Sequence, residues 1–200
     1  MLVDEWKQDD KYGVSFHQRL EEMQEWEAAA ASYDAGRQQE ISRQLHEVIR
    51  SEGNTTLVAQ AVRTQAAFPT EAALESLRGA MGHPQADVRV AACRAWGRRG
   101  GPEAEETLAR VLNSDTDADV RMEAARELRR FRSPTSVQAL GLALDDTNPA
   151  LQHRCVESLK EVTGRNYGND VGAWREYVAS GQARPADAPS LAERLRSYFY

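Results

Sequence analysis

Apolar residues recur along this chain in two superimposed rhythms. Within short segments they fall at helical spacing, as in Val120, Ala124, Leu128 and Phe131 or in Ala104, Leu108, Val111 and Leu112, which places them on one stripe of a helix with a period near 3.6. Between segments the stripes themselves repeat. Leu45, Leu77, Leu108 and Leu140 are separated by 32, 31 and 32 residues, and Ile49, Met81, Leu112 and Leu144 by the same steps. Leu57, Val88, Val120 and Leu151 follow at 31, 32 and 31, and Trp174 and Val178 continue the first two rows after a step of 34. No segment alternates with period two for long enough to be a strand, so the pattern predicts an all-α chain.

Turn residues divide the pattern into pairs of short helices. The spacing predicts helices over 55–66 and 70–82, 87–99 and 102–113, 119–131 and 134–145, and 149–162 and 170–180. Pro69, Pro102 and Pro134 mark the break inside a pair, and Ser133-Pro134 reads as an N-cap followed by proline at the first helical position, where its missing N–H costs nothing. His83-Pro84 and Asn148-Pro149 mark the turns between pairs. Upstream, Phe16, Leu20, Met23 and Ala30 line one longer helix and Ile41, Leu45, Val48 and Ile49 another, making a looser pair over residues 13–54. Residues 1–12 read as a flexible acidic leader, 55–180 as the repeat array, and 181–200 as a linker holding Pro185 and Pro189 before a short helix through Leu191, Leu195, Tyr198 and Phe199. A two-helix unit can bury its apolar stripe only against its neighbours, so about five pairs with a C-terminal capping helix should form an α-α superhelix, or α-solenoid.

One sequence word ties the units to a known family. Ala86-Asp87-Val88-Arg89 returns 32 residues later as Ala118-Asp119-Val120-Arg121, followed by Ala91-Ala92 and Ala124-Ala125 respectively. With Leu108, Leu128 and Leu140 these residues resemble the HEAT-repeat family in its short bacterial form, also seen in phycobilisome-lyase HEAT-like proteins, over roughly 55–162. The resemblance implies a ladder of hydrogen bonds between adjacent units, made here by Arg89 and Arg121 with Asp119 and with Asp145 or Asp146. Gln152 follows Leu151 and Val58 follows Leu57, so the ladder should be missing in the outer units. It further implies a non-catalytic scaffold that holds a protein partner, usually on the face lined by second helices. There Glu75, Arg78, Glu106, Arg110, Gln138 and Arg175 are the candidate contacts. A bilin-lyase-like enzyme or assembly factor and a DNA-binding HEAT domain are the alternatives the same family offers.

Charge bears on those alternatives. The 25 basic and 31 acidic residues give a formal charge of −6, opposite to the footprint of a nucleic-acid binder. Twelve acidic and six basic residues fall within 1–55, so the excess is N-terminal and the array is neutral. Arg63, Arg94 and Arg126 share one register and Arg98 and Arg130 another, with Arg129 and Arg132 nearby. They form a stripe that either meets an anionic partner, with Arg94, Arg98, Arg126 and Arg130 as contacts, or is absorbed by i, i+3 pairs such as Glu123 with Arg126 and Glu127 with Arg130.

Other chemistry is sparse. His17, His46, His83 and His153 lie in different units, and the only His-Glu pair is His46-Glu47, so no cofactor or metal is expected. Asp115-Thr116-Asp117-Ala118-Asp119 opens like a calcium loop, but Val120 stands where glycine is needed and Arg126 where a bidentate Glu belongs. Cys155, two residues from His153, faces another direction on a helix and shares its row with Ala92 and Ala124, which suits close packing. Trp96 and Trp174 fall on apolar rows, Trp26 suits the first pair, and Trp6 amid Asp4, Glu5, Asp9 and Asp10 reads as a linear docking motif. No run approaches the roughly 18 to 20 apolar residues of a membrane span. Cytoplasmic residence is the default expectation, with export or lipid anchoring open if a signal has been removed.

Overall fold

A computed structural model describes residues 15–181. The acidic leader with Trp6 and the segment from Leu191 to Phe199 lie outside the described residues. Ten α-helices occupy the rest: α1 Phe16–Ala29, α2 Ala35–Ser51, α3 Thr55–Gln65, α4 Glu71–Ala80, α5 Ala86–Arg99, α6 Pro102–Ser114, α7 Ala118–Leu128, α8 Pro134–Leu142, α9 Pro149–Thr163 and α10 Val171–Ser180. No described residue is in a strand.

Helices this short are marginal alone, because nucleation fixes several residues before the first hydrogen bonds repay it. Side-chain caps recover part of that cost. Ser15 and Gln18 form a capping box on α1, and Asp34, Asn54, Thr70, Asp117, Ser133, Asn148 and Asp170 each accept a backbone N–H at the start of a helix. Each such cap contributes about 1 kcal/mol. Pro102, Pro134 and Pro149 sit in the first turn of their helices, where no backbone donor is lost. Left-handed Gly164, at φ 67°, closes α9, a conformation that any side chain would strain.

The chain folds as two compact units, one ending at Arg99 and one beginning at Gly100. In the first, α1, α3 and α5 pack in succession, α2 packs on α4, and hairpin contacts join α2 to α3 and α3 to α4. Met23, Ile41, Leu45, Leu57, Ala61 and Phe68 form the core between its early helices, with Leu20, Trp26 and Val48 packed around it. In the second, α7 packs on α9 while α6, α8 and α10 follow one another. First helices thus contact first helices and second contact second within each unit, the arrangement of an α-solenoid built from helical hairpins. Leu45, Leu77, Leu108 and Leu140 are all at 0% exposure, so the row with the cleanest spacing is entirely interior. Trp96 and Trp174 are interior too, their indole N–H groups donating to Leu77 O at 3.3 Å and Gly168 O at 3.2 Å.

Two helices end three residues earlier than the apolar rhythm predicts. α7 stops at Leu128, not Phe131, because the chain must turn for Ser133 to cap α8; Phe131 N donates to Leu128 O at 3.0 Å within that turn. α8 ends at Leu142 and tightens into a 3-10 turn over Ala143–Asp145, which leads into the Asn148 cap.

Gly141 decides how closely α10 approaches α8. A Cβ built on Gly141 would overlap both methyl groups of Val178, so the absence of a side chain brings the helices together. Gly141→Ala is expected to cost roughly 1–3 kcal/mol through overpacking, measured by urea unfolding. Gly141→Ala combined with Val178→Ala should recover most of that loss.

Candidate protein-interaction surface

The recurring Asp and Arg lie at the starts of α5 and α7, beside the loops between helix pairs. Asp115 Oδ1 accepts the N–H of Asp117 at 2.9 Å and Asp146 Oδ1 that of Asn148 at 2.8 Å, so both loops are closed by the same aspartate turn. Arg121 crosses from one to the other. Its Nη1 donates to the carbonyls of Asp115 at 2.9 Å and Thr116 at 3.3 Å, and its Nη2 meets Asp146 Oδ2 at 3.2 Å. Arg89 donates in the same way to His83 O at 2.8 Å and Pro84 O at 3.1 Å. Asp145 pairs instead with Arg175 at 2.8 Å. Asp119 stands exposed in the first turn of α7, where its negative charge suits the positive helix end.

At the position where the ladder between units was expected to end, Gln152 stands in place of arginine and binds within its own loop. Gln152 Nε2 donates to Asp146 O at 2.8 Å and Leu144 O at 3.2 Å, the carbonyl-binding half of what Arg121 does. An amide has the donors for that half; it lacks the charge for the other.

The arginine row is largely occupied by acids of the same chain. Arg126 meets Glu123 at 3.2 Å and Arg130 meets Glu127 at 2.5 Å, the i, i+3 pairs that the spacing allows. Glu123 and Glu127 are 8% and 3% exposed, so their charges require these partners. Arg98 pairs with Glu27 and donates to Arg63 O at 2.8 Å, and Arg129 reaches Glu161 at 2.9 Å. Arg94, an exposed α5 side chain, lies near enough to Arg63 to act on its charge. Burial first, and then the Arg94 charge, pull the Arg63 guanidinium below its usual value, with Glu27 opposing them.

Of the second-helix candidates, Glu75, Glu106 and Arg110 are exposed. Arg78 pairs with Glu71 at 3.2 Å, and Arg175 also donates to Leu144 O at 2.6 Å. Gln138 borders a groove. It stands on α8, which has no charged residue, unlike every other described α-helix. Pro134, Gln138 and Leu142 recur every fourth residue on its outer side, all exposed, Leu142 at 66%. Hollows flank that stripe: one of about 370 Å³ between α8, the end of α9 and α10, and one of about 420 Å³ between α8 and the Asp115 and Asp146 loops.

Glu105 holds the start of α8 from its neighbour α6. Its Oε1 accepts Ser136 N at 3.0 Å, Ser136 Oγ at 2.7 Å and the hydroxyl of Ser133. In the first unit, Gln65 Nε2 donates to Ser42 O at 2.8 Å and Ser76 Oγ at 3.0 Å, and His46 Nδ1 lies 2.9 Å from the same hydroxyl. Ser76 is 2% exposed and its hydroxyl is also 2.7 Å from Ala72 O, so this serine–histidine contact is an interior brace. Residue types alone did not point to either network. Cys155 is fully buried, and burial pushes its thiol up to about 12.

A family model described as HEAT repeats matches residues 42–129 and again 105–171. The chain belongs to the HEAT-repeat family. No curated protein matches it. The HEAT match covers both aspartate-turn loops, the arginine row and α8, so the surface just described is built on repeat helices. The HEAT helices among the described residues include none long and apolar enough to cross a membrane.

Two expectations follow. Arg121→Ala should destabilise the HEAT array by about 1–3 kcal/mol in a chemical melt, because it releases two loop carbonyls and an ion pair at once, whereas Arg121→Gln, copying position 152, should recover part of the loss. Cys155 should stay unmodified by a thiol-reactive disulfide reagent until denaturant is added. Because the folded state holds its proton more tightly than an ordinary thiol near 9.0, this contribution to stability is intact below that pH and is lost as pH rises toward about 12.

Proposed function

We propose that this HEAT-repeat protein is a non-catalytic scaffold that binds another protein through the outer face of α8. The observation that carries the reading is the uncharged, exposed stripe of Pro134, Gln138 and Leu142 with a hollow on either side. Interface centres are depleted in charge, and exposed apolar surface flanked by grooves is where partners bury most area. The arginine row supports the reading by contrast. Arg98, Arg126 and Arg130 are held by Glu27, Glu123 and Glu127, and a partner would have to displace those carboxylates to use them.

The family's DNA-binding alternative meets a formal charge of −6, which opposes binding of a polyanion. The bilin-lyase alternative calls for a nucleophile or acid poised on an open cavity. The Cys155 thiol is interior, and among the described residues no three His, Cys, Asp or Glu side chains gather as a metal site.

The test is copurification of the untagged chain with its bound protein, repeated with two variants. Leu142→Asp should release the partner, while joint replacement of Arg94, Arg98, Arg126 and Arg130 by Gln, which keeps N–H donors for Glu27, Glu123 and Glu127, should leave the partner bound to a chain that a melt shows to be folded. Loss only in the arginine variant would return the row to the centre, and a coloured complex on coexpression with a bilin would favour the lyase reading.

A further inference from the structure

The groove beside α8 has a more specific chemistry than the stripe as a whole. Val137, Val162, Tyr177 and Val178 supply apolar walls from three helices, and Pro134 closes the N-terminal end of α8. At the other end of the contact, the Gly141–Val178 approach brings α8 and α10 together. Polar groups at the wall are mostly engaged: Gln138 Nε2 donates to Val178 O at 3.4 Å, Thr163 Oγ1 to Leu159 O at 2.6 Å and Ser133 Oγ to Glu105. Among the described residues that line the groove, Arg132 carries the charge. It is exposed, and among the described residues it makes no ion pair or hydrogen bond.

The nearby acids do not supply its counter-charge. Glu105 is held by Ser133 and Ser136, Glu161 by Arg129 and Glu157 by Lys160. α8 has no acid of its own. The segment that follows Gly181 carries Arg184, Arg194 and Arg196 against Asp187 and Glu193, so its balance of charge is the wrong sign for an arginine rim. An apolar slot with one unmatched guanidinium at its mouth selects an apolar side chain accompanied by a carboxylate.

We infer that the groove between α8, the end of α9 and α10 binds a short segment of a partner protein that joins a bulky apolar side chain, seated against Val137, Val162 and Tyr177, to an acidic residue paired with Arg132. This rests on the scaffold reading and names the partner's chemistry. Buried apolar contact supplies the affinity. The arginine sets register and sign, because a rim ion pair exposed to water adds little energy by itself.

The experiment is selection of a random peptide library against the full chain, followed by fluorescence anisotropy with individual selected peptides. The expected peptides combine a large apolar residue with a nearby Asp or Glu. Val137→Asp should weaken them more than about tenfold by placing a charge in the slot. Arg132→Ala should weaken them by about threefold and flatten the salt dependence, and Arg132→Lys should retain most binding. Circular dichroism melts on each variant separate lost binding from lost folding, and Arg132, being exposed, gives an arm that does not depend on the core.

Selected peptides that are basic, or that bind Val137→Asp as well as the parent, would overturn the inference. So would peptides that bind only when Leu191 and Leu195 are both replaced by Ser, because the chain's own segment would then fill the groove. Concentration-dependent self-association that Val137→Asp abolishes would give the groove to a second copy and overturn the assignment to a separate partner. If the groove variants leave the copurified protein in place while Leu142→Asp releases it, the groove assignment fails and the scaffold reading stands.

Discussion

A pair of helices some ten residues long has no inside. Its apolar stripe faces water unless another pair lies against it, and that constraint governs the rest of the structure. It explains why leucines at 45, 77, 108 and 140 are fully interior although each belongs to a different helix. It also explains why alanines and Cys155 occupy the rows where first helices meet, since close approach leaves no room for larger groups. The same demand reaches the backbone at Gly141, where even a methyl group would collide with Val178. Much of the sequence is thereby committed to holding neighbours together, and functional freedom is left to positions that the stacking does not use.

Charge follows the same logic. Acids at 123 and 127 lie almost buried and each meets an arginine three residues later, Arg126 within α7 and Arg130 in the turn that follows it. Removing either acid would leave the arginine without its nearest partner, and removing either arginine would strand a desolvated carboxylate, the costlier of the two. Rows of arginine in a repeat protein therefore cannot be taken at face value as surfaces for anions; the acids interleaved with them decide. Arg132 differs because no acid stands one turn away to meet it.

How much could be read from the chain alone depended on whether the physics was local or periodic. Helices, the cap at Ser133 and the leucine rows were legible because spacing and neighbouring residues determine them. The i, i+3 pairs at 123–126 and 127–130 were legible for the same reason. Choices settled by side-chain reach across a turn were not: Arg121 selects Asp146 while Asp145 goes to Arg175, although the two acids are adjacent in sequence. Gln152 looked like the end of the arginine pattern, yet it ties two loop carbonyls, because that half of the task needs only N–H donors. Glu105 was invisible, as nothing in its own helix shows that its carboxylate receives the hydroxyls of another helix's first turn. The uncharged character of α8 was present in its nine letters, but only the exposure of Leu142 gave it meaning.

Tyr177 belongs to two structures at once. Its ring lies 6.0 Å from Trp174 and 5.6 Å from Tyr167, forming the aromatic cluster that anchors α10, and the same side chain is a wall of the groove. The ring is therefore shared between the groove wall and the indole contact. Occupancy and the local stability of the last hairpin are consequently linked quantities: a bound segment holds α10 down, and fraying of α10 lowers affinity by the same free energy. The indole of Trp174 thus sits where its fluorescence would report both events, giving the protein a built-in gauge beside the groove.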